Sequence, residues 1–196
     1  MKLIALAGVA CIALTAAACS EREGDGPVDK VQDAASAPVG QVSAATMGAN
    51  LVSAYVPNAA MADMYEIQAA DMAIARSQNA QVKEMAQMIK TDHTAAAAAM
   101  KGMVPQAAPG IEVPTALDQR RQGMIDNLRD AQGADFDRTY VAQQVAAHQE
   151  ALTLHRGFSD NTDAPQLAAH ARMVVPKIEA HLQMAQRIQG TLGGAQ

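Results

Sequence analysis

The stretch VKEMAQMIKTDHTAAAAAM, residues 82–100, places Val82, Met85, Ile89, His93, Ala96 and Met100 three or four positions apart. That interval is one stripe of an α-helix, and the period of two that a half-buried strand requires is missing from it. The five alanines at 95–99 have the highest helix propensity of any residue type. Composition extends the same conclusion to the whole chain. Hydrophobic residues make up 49% but aromatic residues only 3%, with no Trp and 12 Met, a mixture that suits alanine-rich helices rather than sheets of aromatic and β-branched side chains. The fold class is all-α, and 196 residues fit one domain better than two.

Working outward, the spacing predicts three more long helices. One covers about 58–76, with Met61, Tyr65, Met72 and Ala75 as its stripe and Ala62, Ala69 and Ala73 as a small-residue face. Its start is left open near Asn58, because Pro57 fits a first turn but no deeper position. After the stretch at 82–100, Pro105, Pro109, Gly110 and Pro114 make a connector, and Thr115 is placed to cap a short helix to Asp130. Asp135 then caps a long helix carrying Val141, Val145, His148, Leu152 and His155. Pro165 opens the last, whose stripe is Leu167, Val174, Ile178, His181, Ala185 and Ile188, with Pro176 expected to kink it. Four rods of about 30 Å with short first and third connections make a four-helix bundle, with an extra short helix between the second and third rods.

The first eighteen residues read as an export signal, a basic Met1-Lys2 followed by a short apolar run. The run ends Leu14-Thr15-Ala16-Ala17-Ala18-Cys19-Ser20, which resembles the lipobox of bacterial lipoproteins, although Ala16 stands where Leu or Val is usual. The resemblance implies an acyl chain on Cys19. With Ser20 rather than Asp next in line, it also implies the outer membrane, with the domain in the periplasm. Cys11 leaves with the signal, so no internal disulfide can form. The expected organisation is therefore a signal at 1–18, a lipidated tether at 19–54, the bundle at 55–189 and a disordered tail at 190–196. The formal charge is -5 with no cluster of Lys and Arg, which excludes nucleic acid as a partner.

Imidazoles that interrupt apolar stripes are the chemical signal, since a buried ring must find a hydrogen-bond partner or a metal. His93, His148 and His181 do so on three different helices. At 1.5 Å per residue they are placed about 21, 15 and 27 Å from a shared end, with Glu66 at about 16 Å. Imidazole and carboxylate are ordinary ligands for iron, zinc or copper, so these four are the candidate metal ligands. Protein oxygens could satisfy the same rings without any metal, with Asp92, Tyr140 and Glu179 as candidate partners. Glu66 lies about 100° off its stripe and reads as solvated or half-buried, while His155 and His170 read as rim residues. The methionines recur at helical intervals and read as packing rather than copper ligands. No Gly-x-Ser-x-Gly elbow, phosphate-cradling glycine loop, Cys pair or His-Glu-x-x-His run is present, which disfavours hydrolase and nucleotide chemistry.

Tyr65-Glu66-Ile67, the run from Met88 to Thr94, the run from Gly133 to Tyr140, His148-Gln149-Glu150-Ala151, Val175-Pro176 and Glu179-Ala180-His181-Leu182 occur in an order that resembles the bacterial family called domain of unknown function 4142. The resemblance spans about 55–188 and implies a ferritin-like bundle, usually exported, with no established activity. Di-iron members of the ferritin-like group carry Glu-x-x-His pairs. None occurs here: Glu84, Glu150 and Glu179 all stand at the wrong spacing from a His. The sequence therefore points to a lipid-anchored, non-catalytic binding module with a His-rich mononuclear site. Its competitor is a structural or interaction protein of the envelope without a cofactor, and a metal-dependent oxidase is less favoured.

Overall fold

The computed structural model describes residues 50–193, and there the chain forms five helices: α1 (Val52–Arg76), α2 (Ala80–Ala107), α3 (Gln119–Asp130), α4 (Gly133–Phe158) and α5 (Pro165–Gly193). The expected export signal, Cys19, most of the tether and the end of the tail lie outside the described residues. Asn79 caps α2 by accepting hydrogen bonds from the Gln81 and Val82 amides at 2.9 and 3.3 Å. For α3 the cap is Asp118 rather than Thr115, its carboxylate accepting from the Arg121 amide at 2.7 Å. Gly133 opens α4 at a φ of +53, a conformation that favours glycine, so Asp135 falls inside the first turn instead of capping it.

Three further helix ends differ from expectation. Helix α2 runs on through Pro105, expected in the connector, to Ala107, with Val104 buried in the apolar cluster at that end. Helix α1 starts at Val52 rather than Asn58 and carries Pro57 inside it. Tyr55 and Val56 are fully buried, and the Tyr55 ring stacks on Phe158 at 3.8 Å, so tertiary contact holds the turn that proline disfavours. Asn161 pins the start by donating to the Asn50 carbonyl at 3.0 Å. At the other end of the chain, α5 continues through Gly190 to Gly193, into the segment expected to be disordered.

α1 and α2 form one antiparallel hairpin and α4 and α5 another. The two pack α1 against α4 and α2 against α5, with α3 lying along α1 and α4. Arg76, at the end of α1, ties α3 down: its guanidinium donates to the Leu128 carbonyl at 2.6 Å and to the Ala131 carbonyl, and lies 4.4 Å over the Phe136 ring. One apolar cluster, including Tyr65, Met85, Ile89, Leu128, Phe136 and Ile188, fills the end where α1 turns into α2. A second, including Tyr55, Met100, Phe158 and Leu167, fills the opposite end. Between them lies a polar tier.

The helix directions also correct two sequence-derived heights. The end shared with the start of α2 is the N-terminal end of α4 and the C-terminal end of α5. Counted from Gly133, His148 stands roughly 22 Å from that end and, counted back from Gly193, His181 roughly 18 Å, both level with His93 at about 20 Å.

Candidate metal centre

Each of the four long helices contributes to the polar tier. α2 supplies His93, α4 His148 and α5 His181, all buried, while α1 brings the buried carboxylates Asp63 and Glu66. The imidazole centroids lie 5.6 Å apart for His93 and His148, 5.6 Å for His93 and His181, and 5.2 Å for His148 and His181. One nitrogen from each ring lies within 4.8 Å of the other two.

The outward nitrogens are committed to oxygen. His93 Nδ1 is 2.8 Å from Asp63 Oδ1, His148 Nδ1 is 2.9 Å from the Gln144 carbonyl, and His181 Nε2 is 3.0 Å from Asp92 Oδ2. Carboxylates and carbonyls only accept, so in each case the imidazole N–H donates outward. A neutral ring that spends its proton there presents a bare lone pair from the other nitrogen. His148 Nε2 and His181 Nδ1 face each other at 3.2 Å, and His93 Nε2 is buried without a partner among the described residues. Two facing lone pairs repel unless a cation lies between them. For comparison, imidazoles on one tetrahedral ion with bonds of 2.0–2.1 Å place their nitrogens about 3.3 Å apart.

A proton is a poor candidate for that cation on two of the three rings. Burial, and then the charges of His93 and His181, hold the His148 imidazole well below its ordinary pKa. Burial, and then His93, pull His181 down to about 4 despite the Asp92 hydrogen bond. His93 behaves otherwise. Burial lowers it, but the hydrogen bond and charge of Asp63, with Glu66 and Asp92 behind, outweigh that and raise it.

The remaining sequence candidates fall differently. Glu66 is buried, not solvated or half-buried as its helical angle suggested, and its Oε1 lies 3.7 Å from His148 Nδ1. That is the outward side of the ring, so Glu66 stands outside the trio of facing nitrogens. Burial pushes its carboxyl up to about 7, partly offset by His93 and by the neighbouring Gln144 amide. Asp92 orients His181 across the α2–α5 interface rather than its own neighbour His93. Tyr140 is buried with its hydroxyl unbonded among the described residues, and Glu179 pairs with Arg156 at 2.5 Å on the surface, so neither orients a histidine of the trio. Asp63, which does, escaped the sequence reading. It follows Val56 and Ala59 and precedes Glu66, Ala70 and Ala73 along the face of α1 that is in fact buried. An acid interrupting that series was the available signal.

Residues 31–188 match the family described as "Domain of unknown function (DUF4142)". The chain belongs to that family. The DUF4142 fold has a solved likeness in a DUF305 fragment from Deinococcus radiodurans, at a TM-score of 0.62 and 16% identity over 75% of this chain and 98% of that one. At that identity the likeness speaks for the fold alone. Comparison with curated proteins gives no match.

Two further histidines of this DUF4142 chain, expected at the rim, are buried. His155 Nδ1 lies 2.9 Å from the Tyr55 hydroxyl, and burial, followed by His170 and His93, lowers its pKa to about 3. Both ring nitrogens of His170 are buried and unbonded among the described residues. Their side chains were misread because 3.6-residue spacing gives a helix face but not which neighbour covers its ends.

Proposed function

We propose that this DUF4142 protein is a lipid-anchored, periplasm-facing binding module that holds one first-row transition metal ion, iron, zinc or copper, on His93 Nε2, His148 Nε2 and His181 Nδ1. One observation carries the reading: three imidazoles give their N–H groups to Asp63, the Gln144 carbonyl and Asp92, while one nitrogen from each ring lies within 4.8 Å of the other two. Outward hydrogen bonds of this kind are what orient metal-ligating histidines in general. Asp63, Glu66 and Asp92 surround the trio, and a divalent cation offsets their charge better than a proton would. Met85 and Met100 belong to the two apolar clusters, so the donor set is nitrogen and favours an imidazole-seeking ion over a thioether-bound one.

A cofactor-free envelope protein is the competing reading. It is favoured by the same outward bonds, which by themselves tie α2 to α1 and α5 to α2. Elemental analysis of full-length protein purified from its native envelope separates the two. One metal ion per chain is expected in the wild type and none in the His93→Ala, His148→Ala, His181→Ala triple variant; equal metal content in both rejects the site. The anchor has its own test. Wild-type protein is expected to need detergent for extraction and Cys19→Ser is not, whereas soluble mature protein with an unmodified Cys19 thiol overturns the address.

A further inference from the structure

The tier opens toward solvent on two unequal sides. A cleft between α2 and α5 is lined by Asp92, His93, Lys177 and His181 among others, so two of the three proposed ligands border it. A cavity beneath α3 is bordered by His93 alone of the three. The two mouths are closed by different kinds of ion pair. Under α3, Arg120 grips Glu150 through 2.7 and 3.0 Å bonds, and Arg121, itself buried, adds a third at 2.9 Å and pairs with Asp118 as well. That network is interlocked around a buried guanidinium, Arg121 being 5% and Glu150 13% exposed, with Arg120 and Asp118 at its edge. At the α2–α5 mouth a single exposed ammonium does the closing: Lys177 Nζ donates to Asp92 Oδ1 at 2.6 Å, with the Lys177 side chain 51% exposed and Asp92 25%. The other oxygen of Asp92 accepts from His181 Nε2 at 3.0 Å. One carboxylate therefore holds a ligand on its inner oxygen and a surface cation on its outer oxygen.

Resting on the metal-binding reading above, we propose that the ion reaches the trio through the α2–α5 cleft and that Lys177 is the positioning residue that governs its capture. The ammonium occupies the outer oxygen of the only trio-orienting carboxylate that faces solvent. An arriving dication meets its repulsion and displaces it to reach Asp92 and then His181 and His93. Lys177 also draws charge from Asp92, which weakens the hydrogen bond that makes His181 Nδ1 a better donor. Surface ion pairs of this exposure exchange easily, whereas the buried Arg121 network costs too much to open for each binding event.

The test is stopped-flow mixing of full-length, metal-free protein with Co²⁺, followed by the ligand-field absorption of the bound ion. Lys177→Met is expected to speed association about threefold to tenfold at low ionic strength, an advantage that shrinks as salt is raised. Lys177→Arg restores the wild-type rate, since it returns the charge. Arg120→Met, at the other mouth, leaves the rate unchanged. The absorption spectrum of bound Co²⁺ is expected to be the same in every variant, which separates control of capture from damage to the ligand set. A Lys177→Met rate equal to wild type, or a faster rate in Arg120→Met, overturns the proposal while leaving the metal site intact. Wild-type protein that takes up no Co²⁺ removes the site itself, and the proposal with it.

Discussion

All five histidines of the chain are buried, yet they divide into two groups with opposite organisation. His93, His148 and His181 sit in the polar tier with their N–H groups turned outward to oxygens and their other nitrogens turned toward one another. His155 and His170 lie nearer the Tyr55 end of the bundle and do not converge. His155 pairs with a hydroxyl that can donate or accept, and His170 has no oxygen among the described residues to fix its tautomer. Burial pushes every one of these rings down, and only at His93 do the surrounding carboxylates, Asp63 first, turn the net shift upward. What distinguishes a site is therefore not burial but the placement of acceptors around the rings.

The strongest way to break the contrast is metal-dependent stability. With Zn²⁺ at about a thousand times its Kd, the wild type gains roughly 4 kcal/mol. Thermal unfolding with and without Zn²⁺ is expected to show this gain undiminished in His170→Leu and absent from the triple variant of the trio. A loss of the gain in His170→Leu would erase the distinction between the groups. His170→Leu should also stabilise the metal-free protein by about 1 kcal/mol, since it removes two buried ring nitrogens that have no partner among the described residues.

The orienting partners come next in size. Asp63→Asn is expected to weaken metal affinity roughly tenfold to a hundredfold by calorimetric titration, because it loosens and depolarises His93. Tyr55→Phe, which removes the equivalent partner of His155, should leave that affinity within about twofold.

Glu66 gives a sign as well as a size. Its folded-state pKa of about 7 lies above the unfolded value of 4.5, so the stabilisation of its protonated form is present below pH 4.5 and is lost as pH rises through 7. Glu66→Gln should then stabilise metal-free protein by about 3 kcal/mol at pH 8 and leave it unchanged at pH 4, measured by denaturant unfolding. Bound Zn²⁺ should shrink that gain, because a nearby dication favours the ionised carboxyl.

Metal affinity should fall by about tenfold per pH unit once His93 protonates, a decline that begins above pH 6.5 because the pKa of this ring is raised. The depressed rings act on the metal-free fold in the other way. Their stabilisation is complete above the unfolded value of 6.5 and is lost as pH falls toward about 4 for His181 and about 3 for His155.

Much of this was legible before the structure. The 82–100 stripe, the prolines and glycines between rods and the absence of strand periodicity were enough for the bundle. They also marked His93, His148 and His181, because an imidazole among Val, Ile and Met breaks a pattern. Two things were not legible, and both depend on tertiary packing. Val52 to Pro57 joins α1 because Phe158 stacks on Tyr55 across the bundle, a contact between residues far apart in the chain. Asp63 was hidden because α1 is rich in Ala and Met on every side. Periodicity alone named a stripe of Met61, Tyr65, Met72 and Ala75, of which only Tyr65 is buried, and it named Ala69 and Ala73 on the buried face without reading Asp63 into it.

X-ray absorption on Zn²⁺-loaded full-length protein tests the convergence of the three lone pairs most directly. The expected result is a first shell at about 2.0 Å with the outer-ring scattering of three imidazoles, reduced by one in each single His→Ala variant of the trio and unchanged in His170→Leu. A shell of oxygen atoms without imidazole scattering, or one that persists in the triple variant, would contradict it.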